Sequence, residues 1–234
     1  MEKYGNPGTA EGRKRGGIES IKTHLTRETA FKCLKKVKKP RHSARLAELI
    51  GVLMGDGHLG VYQVTVSTSL ETDAEHAVFV SSLFQSVFGI EASTVMRRSR
   101  NVLIVTLSSK MACDYLRAVG MPTGNKLTTG LHPPKWIVEN ESYCKAFIRG
   151  LIDTDGCVYE DRHTVKGKEY SSKCVAFTSA SPDLLSFVSD QLKRWEFKPT
   201  SWGRHVRIRR QKEVLRYAHE IGFSNPKHKR KIEV

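Results

Sequence analysis

GLIDTDG (residues 150–156) is an apolar run that ends in an acid and a glycine, and GVLMGDG (51–57) repeats its shape ninety-nine residues earlier. The spacing predicts helices over 45–55 and 144–154, each closed by an aspartate, Asp56 or Asp155. A helix C-terminus already carries partial negative charge, so a carboxylate there is unfavourable by roughly 0.3–1 kcal/mol. Gly57 and Gly156 follow the acids at the C′ position, where glycine is expected to supply the left-handed conformation that ends a helix. Gly51 and Gly55 sit four apart on one face, as do Gly150 and Thr154, a spacing that lets two backbones approach closely. A mid-helix glycine costs about 1 kcal/mol relative to alanine. Equivalent places in both runs carry that cost, which predicts that the two helices pack on each other. A D-G turn would explain either acid alone, but not a matched pair. Packed side by side, the helices bring two like charges together. A hard cation such as Mg²⁺ offsets that repulsion, since it takes a few carboxylates and completes its shell with water and phosphate oxygens.

The similarity extends well past the two runs. QVTVSTSLETDAEHAVFVSSLFQSVFG (63–89) is echoed by KCVAFTSASPDLLSFVSDQLKRWEF (173–197), each a strand, a polar helix start and an amphipathic helix. The apolar stripe is Ala77, Val80, Leu83, Phe84 and Val87 in one, and Leu184, Leu185, Val188, Leu192 and Trp195 in the other. NVLIVTLSSKMACDYLRAVGM (101–121) is likewise echoed by HVRIRRQKEVLRYAHEIGF (205–223). The offset grows from 99 at the acids to about 111 at the next strand, so the second half holds roughly a dozen extra residues. They read as a long hairpin turning at Val165–Lys168 with Gly167 at the turn, whereas the counterpart HLGVYQVTVST (58–68) is short. The chain thus divides into a basic extension (1–43), a first half (44–136) and a second half (137–234). The extension reads as a flexible arm or a short helix ending at Pro40, either a DNA-contacting arm or a solvated tail.

The 234 residues suffice for one large domain or two small ones, and no apolar run approaches a membrane span. The N-terminus shows no secretory pattern, so an intracellular, non-secreted protein is expected. Five scattered cysteines without a C-x-x-C pair argue against a disulfide framework or a structural zinc site. The net charge of +15 is polarised, with +8 in residues 1–43 and +8 in residues 198–234 around a nearly neutral centre. Basic ends on a neutral core point to a polyanion, nucleic acid before solvated tails.

LIGVLMGDG (49–57) and IRGLIDTDG (148–156), with the phrases GNK (124–126) and PPKWI (133–137), resemble the LAGLIDADG homing endonucleases in their two-copy, single-chain form. The likeness spans about residues 44–234. It implies an α+β fold of tandem pseudo-twofold αββαββα halves, with paired central helices and two saddle-shaped antiparallel sheets gripping duplex DNA. It also implies site-specific, metal-dependent cleavage of both strands across the minor groove, with Mg²⁺ or Mn²⁺ as cofactor. The resemblance carries Asp56 and Asp155 as catalytic metal ligands, with Gly55 and Thr154 beside them at the metal. Gly51, Gly55, Gly150 and Thr154 belong to the helix interface on the same reading. Asp153, which matches Met54, reads as structural or solvent-facing. Members of the family often place Lys or Gln at the end of the strand after each motif, but the matching positions here are Ser67, Thr68, Ser69 and Thr178, Ser179, Ala180. Lys173, on the hairpin's return strand, and Lys110 and Lys212, which recur in both halves, are the basic candidates. The last two also read as helix starts after the N-cap-like residues Ser109 and Gln211.

Strand alternation in HVRIR (205–209) sets Val206 and Ile208 on one face and His205, Arg207 and Arg209 on the other. With Arg204, that basic row suits phosphates and guanine edges. Arg97, Arg98 and Arg100 hold the comparable place in the first half. Tyr159, Arg162, His163, Lys166 and Lys168 on the long hairpin are further candidates. The expected partner is double-stranded DNA with a long asymmetric target site, bound by a monomer because one chain supplies both acids. Two other readings use the same scaffold. An RNA maturase acting on intron RNA is kept open by the missing lysines, and a catalytically weak DNA-binding regulator is opposed by the presence of both carboxylates. The ends, an ordinary Met and KIEV without a His-Asn pair, disfavour an intein.

Overall fold

The computed structural model describes residues 6, 8–26, 37–124, 130–165 and 167–233, with the backbone alone at His163 and Val165. The chain forms two units, Met1–Lys36 and Val37–Val234. The first contains helix α1 (Ala10–Thr26), a largely exposed and polar helix. Everything below concerns the second.

That unit runs through the same element order twice. The first pass is α2 (Ala44–Gly55), β1 (Gly57–Leu59), β2 (Gln63–Ser69), α3 (Ala74–Phe88), β3 (Ser93–Arg97), β4 (Val102–Ser108) and α4 (Lys110–Ala118). After a single helical turn at Lys135–Val138 comes α5 (Glu141–Asp155), β5 (Gly156–Val165), β6 (Lys168–Thr178), α6 (Pro182–Arg194), β7 (Thr200–Trp202), β8 (His205–Ile208) and α7 (Gln211–Glu220). A last helix, α8 (Pro226–Glu233), has no counterpart in the expected repeat. Each half builds one four-stranded antiparallel sheet, in the orders β1-β2-β4-β3 and β5-β6-β8-β7. The α+β architecture of tandem halves is therefore the one the repeat predicts.

Local chemistry starts the helices where the chain needs them. The Ser43 hydroxyl accepts from the Leu46 N–H, Asn140 from Tyr143, Ser109 from Ala112, and Ser181 from Leu184 with Pro182 behind it. Before α7 the capping residue is Arg210 rather than Gln211, and it makes no side-chain cap. β2, β4 and β8 alternate, whereas β6 is buried on both faces from Cys174 to Phe177 and β3 is exposed throughout. Val64, Val66, Leu103, Val105 and Leu107 are buried in one sheet, and Val158, Val175, Phe177, Val206 and Ile208 in the other, leaving the opposite face of each sheet open outside that stretch of β6. The long hairpin closes at Val165 opposite Lys168, with Gly167 at φ +77°, while β1 and β2 share only three residue pairs.

Every residue of α2 from Leu46 to Met54 is buried, as is expected of a helix with neighbours on all sides. Its main neighbour is α5, and glycines set their separation. A Cβ on Gly51 would lie 3.1 Å from the Phe147 carbonyl carbon and 3.2 Å from the Gly150 Cα. One on Gly150 would lie 2.9 Å from the Val52 nitrogen. The helices therefore touch backbone to backbone. Gly57 and Gly156 act differently from the expectation: Gly156 is extended (φ −103°, ψ 174°) and Gly57 is not among the positive-φ glycines. Each half passes from helix into strand without a left-handed cap. The first strand residue lies so close to the last helical turn that a Cβ on Gly57 would stand 2.5 Å from the Leu53 Cα, and one on Gly156 2.8 Å from the Ile152 Cα. No described helix is long and apolar enough to cross a membrane.

Candidate active site

The motif acids sit at adjacent helix ends. Asp56 caps α2 with its N–H on the Val52 carbonyl at 3.1 Å, and Asp155 is the last residue of α5. A Cβ on Gly55 would come within 2.9 Å of the Thr154 Cβ and 3.2 Å of an Asp155 carboxylate oxygen. The bare glycine thus makes the space in which Asp155 rests across the seam. The Thr154 hydroxyl points back along its own helix, at 3.0 Å from both the Gly150 and Leu151 carbonyls.

Two clefts of about 360 Å³ open at this end of the helix pair. Asp56, Asp153, Thr154 and the end of β2 at Ser67, Thr68 and Ser69 line the first, with Asp73 and Asn101. Asp155, Met54, Gly55 and the end of β6 at Thr178, Ser179 and Ala180 line the second, with Leu131 and Arg204. Each cleft combines the terminal acid of one motif, the preceding residues of the other, and the strand end that follows the first. The two are thus built from equivalent positions of the repeat.

Beneath the first cleft lies a buried polar network. Glu48, 5% exposed, takes a two-pronged ion pair from Arg149 at 2.9 Å on both nitrogens, and Arg149 also donates to the Ile221 carbonyl. Asp153 is 2% exposed and accepts from the Ser224 N–H at 2.7 Å. Burial pushes its carboxyl up to about 7. Of the two expectations for Asp153, solvent-facing is excluded by this burial. Asn225 donates to Asp73 at 2.7 Å and to the Asp153 carbonyl at 3.2 Å, and Lys227 pairs with Asp73 at 2.7 Å. Burial raises the Asp73 carboxyl, but hydrogen bonds from Lys227, Thr72 and Asn225 outweigh it and hold the group below its ordinary range.

Sequence reasoning missed this arrangement: it reads Lys227 only as part of the basic end of the chain, residues 198–234, and only the fold brings it beside an acid that lines a cleft. The lysines that the sequence singled out lie elsewhere. Lys110 pairs with Asp114 at 2.6 Å on the exposed face of α4, Lys212 is exposed on α7, and the Lys173 ammonium donates to the Ile232 carbonyl at 2.9 Å. None of the three lines either cleft.

The strand candidates divide by face. Val206 and Ile208 are buried, so His205, Arg207 and Arg209 share the open face of the second sheet with Tyr159 and Asp161. His205 Nδ1 is 2.9 Å from the Thr178 hydroxyl, and Arg209 is paired with Asp161. By alternation Arg162 falls on the other face of β5, where it pairs with Glu160 at 2.6 Å. Arg97 ends β3, and Arg98 and Arg100 occupy the exposed turn after it. Lys168 begins β6, and Arg204 lines the second cleft. Lys166 and the side chain of His163 lie outside the described residues, as do Asn125 and Lys126 of GNK.

Residues 142–222 match the family described as the LAGLIDADG-like domain. The second half is a LAGLIDADG-like domain. The first half repeats its architecture, as in a two-motif, single-chain LAGLIDADG protein. The fold agrees with solved relatives. The meganuclease I-SmaMI bound to uncleaveable DNA aligns at TM-score 0.55 and 9% identity over 79% of this chain and 86% of that one. The LAGLIDADG homing endonuclease I-LtrWI bound to target DNA aligns at 0.54 and 10% identity over 80% and 87%. At those identities the likeness is one of fold. In sequence, the chain is 27% identical over 155 residues to a subunit of the A-type ATP synthase of Pyrococcus abyssi, and 27% over 168 residues to the tRNA-splicing ligase RtcB of Methanopyrus kandleri. Those alignments take in 66% and 63% of this chain but only 15% and 16% of the relatives, so the chain spans about a sixth of their length.

Proposed function

We propose that this protein is a site-specific endonuclease of double-stranded DNA, acting as a monomer inside the cell and hydrolysing one phosphodiester bond in each strand. The observation that carries the reading is the pair of equivalent clefts, each ending in a motif aspartate at the seam of α2 and α5. Two strands need two reaction centres, and one chain with an internal pseudo-twofold supplies both. Neither ATP synthesis nor tRNA ligation is proposed, because the chain covers so little of those relatives.

The donor chemistry fits Mg²⁺ or Mn²⁺. Asp56 and Asp155 offer only oxygen, and the space left by the missing Gly55 side chain keeps the Asp155 carboxylate at the seam. Among the described residues no three His, Cys, Asp or Glu side chains are grouped to hold a metal alone. Phosphate and water oxygens would complete the shell, and a bound divalent ion would stabilise phosphate charge and lower the pKa of water. The chain's own part is to present Asp56 and Asp155 at the helix ends. The hydroxyls of Ser67, Ser69, Thr178 and Ser179, which line the clefts, would hydrogen-bond water at the strand ends.

Incubation with Mg²⁺ and duplex DNA spanning the junction at which the gene is inserted should give a double-strand break. Absence of cleavage with every divalent ion tried would remove the nuclease reading. A second reading, an RNA maturase on the same scaffold, is favoured by clefts lined with hydroxyls and, among the described residues, no lysine. Retained intron-RNA binding without DNA cleavage would support it instead.

A further inference from the structure

We infer that the two sheets read half-sites of unlike base composition: the first an A·T-rich half-site through aliphatic and hydroxyl side chains, the second a guanine-containing one through cations. This rests on the reading of the protein as an enzyme of duplex DNA and adds the chemistry of its target.

The register makes the halves comparable position by position. Ser67 on β2 stands opposite Ile104, and its equivalent on β6, Thr178, stands opposite His205. Counting outward along the next strand, Ile104, Thr106 and Ser108 on the open face of the first sheet correspond to His205, Arg207 and Arg209 on the second. One fold thus presents an aliphatic and two hydroxyls in one half where it presents an imidazole and two guanidiniums in the other. Ile104 is also flanked on its face by Val95, directly opposite on β3 and 50% exposed, while the cation of the same strand face, Arg97, stands at the end of β3 opposite Val102. Scattered exposed aliphatics are ordinary. Adjacent ones at the middle of a face reserved for a polyanion are not.

In the major groove the thymine C5-methyl is the one apolar feature, and valine or isoleucine meets it favourably. Serine and threonine hydroxyls serve either base and add no preference against A·T. Guanine presents two acceptors, which arginine takes two at a time, while cytosine offers an amino donor that a carboxylate accepts. The second sheet carries that whole set. Arg207 is half-buried on this face, its Nε covered and without a hydrogen-bond partner among the described residues, which leaves the guanidinium tip to reach a base. Arg209 is held by Asp161 through two of its nitrogens on the same face. An arginine already paired with a carboxylate adds little net charge for phosphate attraction. It supplies fixed hydrogen-bonding groups of both kinds, which suits a G·C pair.

The test is selection of bound duplexes from a randomised library by the full chain without divalent metal, followed by binding measurements on the selected duplex. One flank is expected to be rich in A·T and the other to contain guanine at fixed positions. Arg207→Ala with Arg209→Ala should weaken binding by about tenfold or more and erase the guanine preference on one flank alone. Replacing thymine by deoxyuridine in the other flank removes only the methyl groups. It should weaken wild type severalfold and weaken Ile104→Ala much less. Circular dichroism of the variants separates lost contact from lost fold. Enrichment of no duplex at all would sink the DNA-enzyme reading and this inference with it. Flanks of the same composition, a guanine preference that survives both arginine changes, or no effect of deoxyuridine would overturn this inference while leaving that reading standing.

Discussion

An aspartate at the C-terminal end of a helix faces carbonyl oxygens, and this chain sets two of them at one seam. Electrostatics alone would remove both: neutralising either relieves roughly 0.3–1 kcal/mol of conflict with the helix end and the repulsion between them. Asp56→Asn and Asp155→Asn should therefore raise the melting temperature slightly while lowering cleavage by about a thousandfold, the loss of several kcal/mol of charge stabilisation. Duplex binding by either variant should survive, as read by gel shift in Ca²⁺. A variant that melts lower and cuts normally would mark its acid as structural. The residue scale was legible where a position repeats: both acids and the hydroxyl-bearing strand ends could be named from the sequence. Asp73 and Lys227 could not, because they lie 154 positions apart with no motif around either.

At the scale of elements, the α2–α5 contact sets propensity against packing. Gly51→Ala gains about 1 kcal/mol in helix propensity. The added methyl meets the Phe147 carbonyl group and the Gly150 Cα, all backbone, which cannot swing aside. Overpacking of this kind costs roughly 1–3 kcal/mol, and more where backbone must shift. Packing wins, so Gly51→Ala should lower stability in urea titrations, and Gly51→Val should lower it further. The helix pair was readable because small residues four apart have few other uses in buried helices. The glycines after the acids misled for a physical reason. A glycine behind a helix usually signals positive φ, but here Gly57 and Gly156 avoid a clash with the helix they have just left. Helix α8 was unreadable because its partners are acids of another half, and its own sequence is polar on nearly every side.

For the molecule as a whole, α8 and the residues before it tie the second half to the first. Asn225 bridges Asp73 and the Asp153 carbonyl, Lys227 pairs with Asp73, and Arg230 pairs with Glu75 at 2.7 Å. Two histidines lie in this tie, His76 on α3 and His228 on α8, both 2% exposed or less. Burial lowers each to about 4. For His76, Lys227 works the same way, against Asp73 and Glu48; for His228, Lys227 and Lys231 work the same way, against Asp73. A histidine whose folded pKa lies below its unfolded value binds protons more readily when unfolded. Its contribution is complete above about pH 6.5 and is lost as pH falls towards 4. Asp73, held below the ordinary carboxylate range, adds a loss in the same direction at still lower pH. The two histidines should therefore lower the unfolding free energy in urea between pH 6.5 and 4 by up to about 3 kcal/mol each. Asp153 offsets this in part, because its carboxyl, raised to about 7, takes up its proton in the folded chain over the same range. His228→Leu should remove one histidine's share of that dependence, making the profile less steep or reversing it towards the Asp153 contribution, even if it lowers stability at pH 7. The slope counts protons taken up on unfolding, whatever the packing of the substitute, so a slope unchanged in His228→Leu would mean that His228 is already protonated in the folded chain.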